Sequence, residues 1–192
     1  MIFEKILTPD EMRDSFEDFA PAEAKAHGIR FIFSDIDNTL VTYDDPVPTE
    51  AVSRWLAAME AEGIAVIFVS NNDRERVERF NGARPGSENG QPPYRAYWKA
   101  GKPLLKTLRR AMKEAGARPE CSMLLGDQLL TDAAAGKRAG LYTLIVPPIR
   151  DKKTLFWRVK RRIEKPYVKR FGKQHPAGSG ENGRAEGWEV WL

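Results

Sequence analysis

The run Phe31-Ile32-Phe33-Ser34-Asp35-Ile36-Asp37-Asn38-Thr39-Leu40 constrains this chain more than any other segment. It begins as an apolar strand and ends in two carboxylates separated by one apolar residue. Side chains alternate faces only while a strand continues. A buried strand tolerates a charge only where a cation, a metal or water meets it. Asp35 and Asp37 therefore belong where the strand gives out, at a mouth rather than in an interior. Alone, the pattern also suits a solvated strand end, so the rest of the chain decides.

Short runs of Val, Ile, Leu and Phe alternate with amphipathic stretches of helical period. Strands are expected at Arg30–Asp35, Ile64–Val69, Tyr94–Trp98, Cys121–Leu125 and Leu141–Val146. Helices are expected at Thr49–Glu62, Asp73–Phe80, Pro103–Glu114 and Thr131–Lys137, with Asp73 as a cap and Pro103 at a first helical position. Gly82 to Pro93 reads as a turn-rich loop. This strand–helix alternation implies right-handed crossovers and an α/β fold with a parallel sheet.

The chain has 192 residues, one cysteine (Cys121) and two histidines (His27 and His175). A disulfide framework, a cysteine zinc cage and a histidine-based triad are thereby disfavoured. Met1 to Phe19 carries acids and no long apolar run, so neither a secretory signal nor a spanning helix is expected there, and a cytoplasmic setting follows. The net charge of +4 hides an asymmetry: Arg150 to Lys173 holds eleven Lys/Arg against Asp151 and Glu164, a balance of +9 that leaves −5 for the remainder. A mildly acidic body with one basic segment argues against nucleic-acid binding over a whole face.

In open parallel sheets, functional groups gather at the carboxyl ends of the strands. Those ends carry Asp35 and Asp37, then Ser70-Asn71-Asn72, then Lys99 and Lys102, then Gly126-Asp127 with Thr131 and Asp132 beyond. Each has an ordinary explanation as a turn, cap or loop cation; their joint placement does not. Such a set suits phosphoryl transfer through a phospho-aspartate. A carboxylate attacks phosphorus when Mg²⁺ neutralises the phosphate, and Mg²⁺ asks only for one or two carboxylates, a carbonyl and water. A second acid can protonate the leaving oxygen and then activate water.

Asp35-Ile-Asp37-Asn-Thr39, Phe68-Val69-Ser70-Asn71-Asn72, Lys102-Pro103 and Gly126-Asp127-x-x-x-x-Asp132 together resemble the haloacid dehalogenase (HAD) superfamily, in order, over Phe31 to Val146. The resemblance implies a Rossmann-like three-layer sandwich with a mainly parallel five-stranded sheet. It implies Asp35 as nucleophile and Mg²⁺ ligand, Asp37 as general acid/base lending its carbonyl to the metal, and Asp127 as a further metal carboxylate. Ser70, Thr39, Asn71 and Lys102 are implied at the phosphate, and Asp132 as a supporting acid. Lys102 fits the Lys-Pro pattern, and Lys99 is the reserve. Ser70-Asn-Asn, the run from Gly126 to Gly140, and the opening Leu7-Thr-Pro9-Asp10-Glu11 look like the YqeG-like subclass IIIA phosphatases, a group similar to phosphatidylglycerophosphate phosphatases.

On this reading residues 1–148 form the phosphatase domain (core 30–148), 149–172 a basic amphipathic helix and 173–192 a flexible tail. The spacing leaves no room for a cap domain, so the mouth should be open to a large substrate, such as a lipid headgroup. A soluble phosphomonoester is the alternative. In Asp151–Lys165, Leu155, Val159 and Ile163 recur at i+4 among Lys and Arg, and Pro166 is expected to stop the helix. That helix suits either contact with an anionic inner membrane surface or packing on the sheet. A phospho-accepting signalling module is disfavoured, because here the acids follow strand one and none ends strand three. A non-catalytic scaffold would not need the four-part site.

Overall fold

The computed structural model describes residues 2–82, 94–150 and 155–174. Gly82 itself closes a helix, but residues 83–93 of the expected loop, and residues 175–192 of the expected tail, lie outside the described residues.

Six strands form one parallel sheet: β1 (Glu11–Met12), β2 (Phe31–Ser34), β3 (Ala65–Val69), β4 (Ala96–Tyr97), β5 (Ser122–Gly126) and β6 (Tyr142–Ile145), in the order β1-β6-β5-β2-β3-β4. The α/β class is as the sequence implied, and the strand count is one higher. The extra strand is β1, two residues whose alternation is too short to read. It is held by long-range contacts: Asp10 Oδ2 accepts from the Thr143 N–H and hydroxyl, both at 2.8 Å, and Lys137 pairs with Asp10 at 2.6 Å.

The α-helices are α1 (Ile2–Leu7), α2 (Pro21–Ala26), α3 (Glu50–Ala61), α4 (Arg74–Gly82), α5 (Lys106–Ala115), α6 (Ala134–Ala139) and α7 (Leu155–Gln174). Alternation along β2 sends Ile32 to one face, where Val52, Trp55, Leu56 and Met59 of α3 and Val77 and Phe80 of α4 pack. It sends Phe33 to the other face, against Leu108, Ala111 and Met112 of α5 and Ala135 of α6. Covering both faces is what lets parallel strands be apolar throughout. Thr49 caps α3, accepting from the Val52 N–H at 3.3 Å, and Trp55 donates its indole N–H to the Phe19 carbonyl at 3.0 Å.

Three local expectations need correction. Helix α5 starts at Lys106, not Pro103: Pro103 belongs to the loop, where the Leu104 N–H closes a turn on the Gly101 carbonyl at 2.8 Å. Instead of a helix from Thr131, a π-helical turn at Leu129–Ala133 leads into α6. Its Leu130 N–H is taken by Glu164, a partner far along the chain. Pro166 does not stop α7. A proline inside a helix costs about 3 kcal/mol. Here the turn beyond it packs Tyr167 and Val168 on a cluster with Leu7, Leu129, Ala133 and Ile145, and that burial carries the helix through.

Helix α6 lies close on β6 because Gly136 has no side chain: a Cβ there would stand 2.3 Å from Thr143 Cγ2 and 3.1 Å from Leu124 Cβ. Gly136→Ala should therefore lower unfolding free energy by roughly 1–3 kcal/mol. Urea denaturation with an unchanged m-value would report it, and an unchanged midpoint would show that α6 is free to lift from the sheet.

Candidate active site

The chain runs from β2 outward to β3 and β4, then crosses back to β5 on the opposite side of β2. The carboxyl ends of β2 and β5 are thus a topological switch point, where departing loops diverge and leave a crevice. Asp35 stands at the end of β2, its N–H bonded to the Leu125 carbonyl at 2.8 Å, and Asp127 follows β5 directly. The loop after β2 then folds on itself. Asn38 adopts φ 66°, a left-handed conformation that asparagine tolerates. Its N–H reaches the Val41 carbonyl at 2.7 Å, and its own carbonyl accepts from the Ile149 N–H at 3.1 Å.

The sequence-predicted carboxylates and lysine meet. Lys102 Nζ lies 2.9 Å from Asp35 Oδ1 and 2.7 Å from Asp132 Oδ1. Carboxylate oxygens of Asp35, Asp127 and Asp132 all lie within 4.8 Å of one another. Lys102 is buried, whereas Lys99 is exposed with φ 44°, so the geometry puts Lys102 and not Lys99 among the acids. Asn71 differs from its expected place at the phosphate: its amide clamps the backbone of Lys102, accepting from the N–H at 2.8 Å and donating to the carbonyl at 3.1 Å. Ser70 Oγ accepts from the Asn72 N–H at 3.1 Å, which leaves the hydroxyl hydrogen for another partner. The buried Thr39 hydroxyl has no hydrogen-bond partner among the described residues.

Gly126 explains why a glycine precedes Asp127. A Cβ there would stand 2.4 Å from both Cβ and Cγ of Asp132, so only glycine lets Asp132 fold back over the strand end to Lys102.

Four residues of the site had no role assigned from the sequence, although Asn72 and Gln128 stand in runs already singled out there. Arg76 of α4 holds Asp37 Oδ1, with Nε at 2.9 Å and Nη2 at 2.8 Å, and Asn72 Nδ2 donates to Asp37 Oδ2 at 3.1 Å. Gln128 donates to Asp127 Oδ1 at 3.0 Å and also meets Lys160 of α7. Tyr43 is the fourth: burial first, then the field of Asp127, Asp35, Asp37 and Asp132, holds its phenol above the ordinary range. Arg76 and Tyr43 sit on segments that read as a solvated helix and a loop. Only the fold turns them toward the acids.

Burial pushes the Asp35 carboxyl up to about 6; Lys102 opposes the rise, and Asp132 and Asp37 add to it. Burial alone would lower Lys102, but Asp132 and then Asp35 hold it above its ordinary value. Among the described residues the buried charged groups at this end of the sheet are Asp35, Asp37, Asp127 and Asp132, with Glu164 bonded to the Leu130 N–H, against Lys102. A cluster of hard oxygen donors in which acids outnumber buried cations suits a divalent ion such as Mg²⁺. A second cluster, Glu11, Glu23 and His27, is already served by Arg13, which pairs with both acids.

The raised Asp35 value has a consequence for stability. Between its ordinary 3.8 and about 6 the folded state binds the proton more tightly than the unfolded state. The group's contribution therefore falls as pH rises through that window and is fully lost above it. In metal-free protein, the stability of Asp35→Asn relative to the parent should shift in favour of the variant by roughly 1–3 kcal/mol as pH rises from about 4 to 7, whatever its offset at low pH. Thermal melts across that range would read it, and a pH-independent difference would contradict it.

The HAD-hydrolase-like family model matches residues 99–148, which contain Lys102, Asp127 and Asp132. Probable phosphatase YqeG of Bacillus subtilis (strain 168) is 34% identical over 164 residues, covering 85% of this chain and 91% of that protein. A solved structure, the cobalt-bound deoxy-D-mannose-octulosonate 8-phosphate phosphatase YrbI from Haemophilus influenzae, is similar with a TM-score of 0.46 at 14% identity, over 86% of this chain and 99% of that one. With that kinship to YqeG over most of its length, the chain belongs to the HAD superfamily and is a hydrolase of its phosphatase class.

Proposed function

We propose that the protein is a Mg²⁺-dependent phosphomonoesterase that works through a phospho-aspartate on Asp35. The observation that carries this reading is the seating of Asp35: one oxygen is engaged by Lys102, and Asp127 and Asp132 stand close enough to share a cation with it. Asp35 attacks phosphorus and the bond from phosphorus to the ester oxygen breaks. Asp37, held at the rim by Arg76 and Asn72, gives a proton to the departing oxygen. It then takes a proton from the water that cleaves the acyl phosphate, which releases inorganic phosphate and restores Asp35. Lys102 balances charge spread over carboxylate and phosphate, and the Ser70 and Thr39 hydroxyls bind non-bridging oxygens. Asp35, Asp127 and the Asp37 carbonyl would hold Mg²⁺, whose charge lets an anionic nucleophile approach an anionic phosphate.

The preferred substrate is phosphatidylglycerophosphate, with the protein cytoplasmic and touching an anionic membrane through residues 151–165. No helix among the described residues is long and apolar enough to cross a membrane, so such contact would be peripheral. The openness of the site supports a large substrate: a single loop joins β2 to α3, and no cap covers the mouth among the described residues.

Phosphate release from an aryl phosphate should require Mg²⁺ and stop with chelator. Asp35→Asn should abolish it, because an amide cannot form the acyl phosphate, and Asp127→Asn should raise the Mg²⁺ concentration needed. A full-rate Asp35→Asn enzyme would overturn the mechanism. Arg76→Met should lower kcat by about tenfold to hundredfold with little change in KM, since it frees an acid/base group rather than removing it. A panel of phosphatidylglycerophosphate in mixed micelles, sugar phosphates and nucleotides reads the substrate class.

A further inference from the structure

Large apolar side chains that stay exposed are unevenly distributed over this molecule. Among the described residues they are Val47, Trp98, Leu104, Ile149, Val159 and Ile163. All the strands are parallel, so their carboxyl ends share one edge. Val47 lies in the loop after β2, Trp98 directly after β4, Leu104 before α5 and Ile149 after β6. Val159 and Ile163 belong to α7, which reaches the same edge where Lys160 meets Gln128 and Glu164 takes the Leu130 N–H. At the opposite edge the corresponding side chains Ile29, Ile64 and Leu141 are buried. The exposed apolar groups therefore share the sheet edge that holds Asp35.

Helix α7 sharpens the point. It turns Glu164 and Val168 inward, at 0% and 5% exposure, and leaves Val159 and Ile163 outward at 53% and 49%. Val159 and Ile163, two members of the stripe that could have packed on the sheet, are left in solvent. Cations stand beside these groups: Arg74 lies over the Trp98 ring at 5.1 Å, and Lys99 and Arg162 are exposed nearby. The segment from Arg150 to Lys173 carries +9 while the rest of the chain carries −5. Apolar groups spread around a rim, with a tryptophan and basic residues interleaved, match the boundary between acyl chains and anionic headgroups.

We propose that the whole catalytic face, and not α7 alone, docks on an anionic lipid bilayer, with Trp98, Leu104 and Ile149 entering the interface around the mouth. This rests on the reading of that mouth as a lipid-phosphate site, and it fixes an orientation: the carboxyl edge of the sheet faces the membrane.

The test is sedimentation of the full chain with phosphatidylcholine vesicles, with and without phosphatidylglycerol. The parent should pellet only with phosphatidylglycerol. Leu104→Glu combined with Ile149→Glu, which leaves α7 untouched, should reduce the bound fraction about tenfold or more while aryl phosphate turnover stays at the parent rate and so reports an intact fold. Parent protein that stays in the supernatant, or a double variant that pellets like the parent, would overturn the proposal. So would a dimer in vesicle-free buffer that the double variant breaks, since the exposed apolar edge would then belong to a second copy. Turnover of phosphatidylglycerophosphate in micelles separates the two readings. Micellar turnover without vesicle binding removes only the docking face. Vesicle binding without micellar turnover removes only the lipid substrate.

Discussion

A lysine held between two buried carboxylates is the constraint around which this site is built. Lys102 touches Asp35 and Asp132, and all three are nearly inaccessible to water. Buried charges are tolerable only when geometry and pairing are good, and removing one partner strands the others. Much of the local backbone serves that geometry. Asn71 fixes the Lys102 peptide from both sides, Gly126 gives way so that Asp132 can reach in, and the π-helical turn sets Asp132 just past the end of β5. The cluster is still weighted toward acid, and that imbalance suits a cation.

One strand end supplies two acids with different surroundings. Asp35 faces inward to Lys102 and Asp132, and burial raises its pKa. Asp37, two residues on, faces Arg76 and Asn72 from the far side of the turned loop. Carboxylates in separate environments can take separate roles. Here the division comes from topology. Arg76 and Asn72 follow β3, on one side of β2, whereas Asp132 follows β5, on the other. A chain that crossed the sheet in another order would not set the two acids in separate surroundings.

The parts of this architecture written locally were legible in the amino-acid order. Apolar runs in strands buried on both faces, the Asp73 cap of α4 and the acids at strand ends all follow from short-range rules, and the structure has them. What was not legible depends on distant partners. Strand β1 exists because Asp10 finds Thr143, and the turn at Leu129 begins where it does because Glu164 arrives from α7. Arg76 looks like any solvated helix residue until the fold aims it at Asp37. Pro166 shows the same competition in reverse: a local rule that ends helices gave way to the burial of Val168.

An open mouth creates a problem that the residues at its edge bear on. On the proposed mechanism a phosphoryl group on Asp35 would have to be kept from adventitious water until Asp37 had a proper nucleophile to deprotonate, and exclusion of bulk water would also strengthen the electrostatics of Lys102. Capped relatives of any such fold could do this with a lid. Here β2 passes to α3 through the single loop 35–49, and the carboxyl edge instead carries the exposed side chains of Val47, Trp98, Leu104 and Ile149. Left in water, the exposed parts of those side chains gain no burial on folding. Seated against a hydrocarbon boundary they would exclude solvent around the site while a headgroup enters from the same side. On the proposed docking the missing lid and the exposed rim would be one adaptation: the surface that carries the substrate would also close the active site.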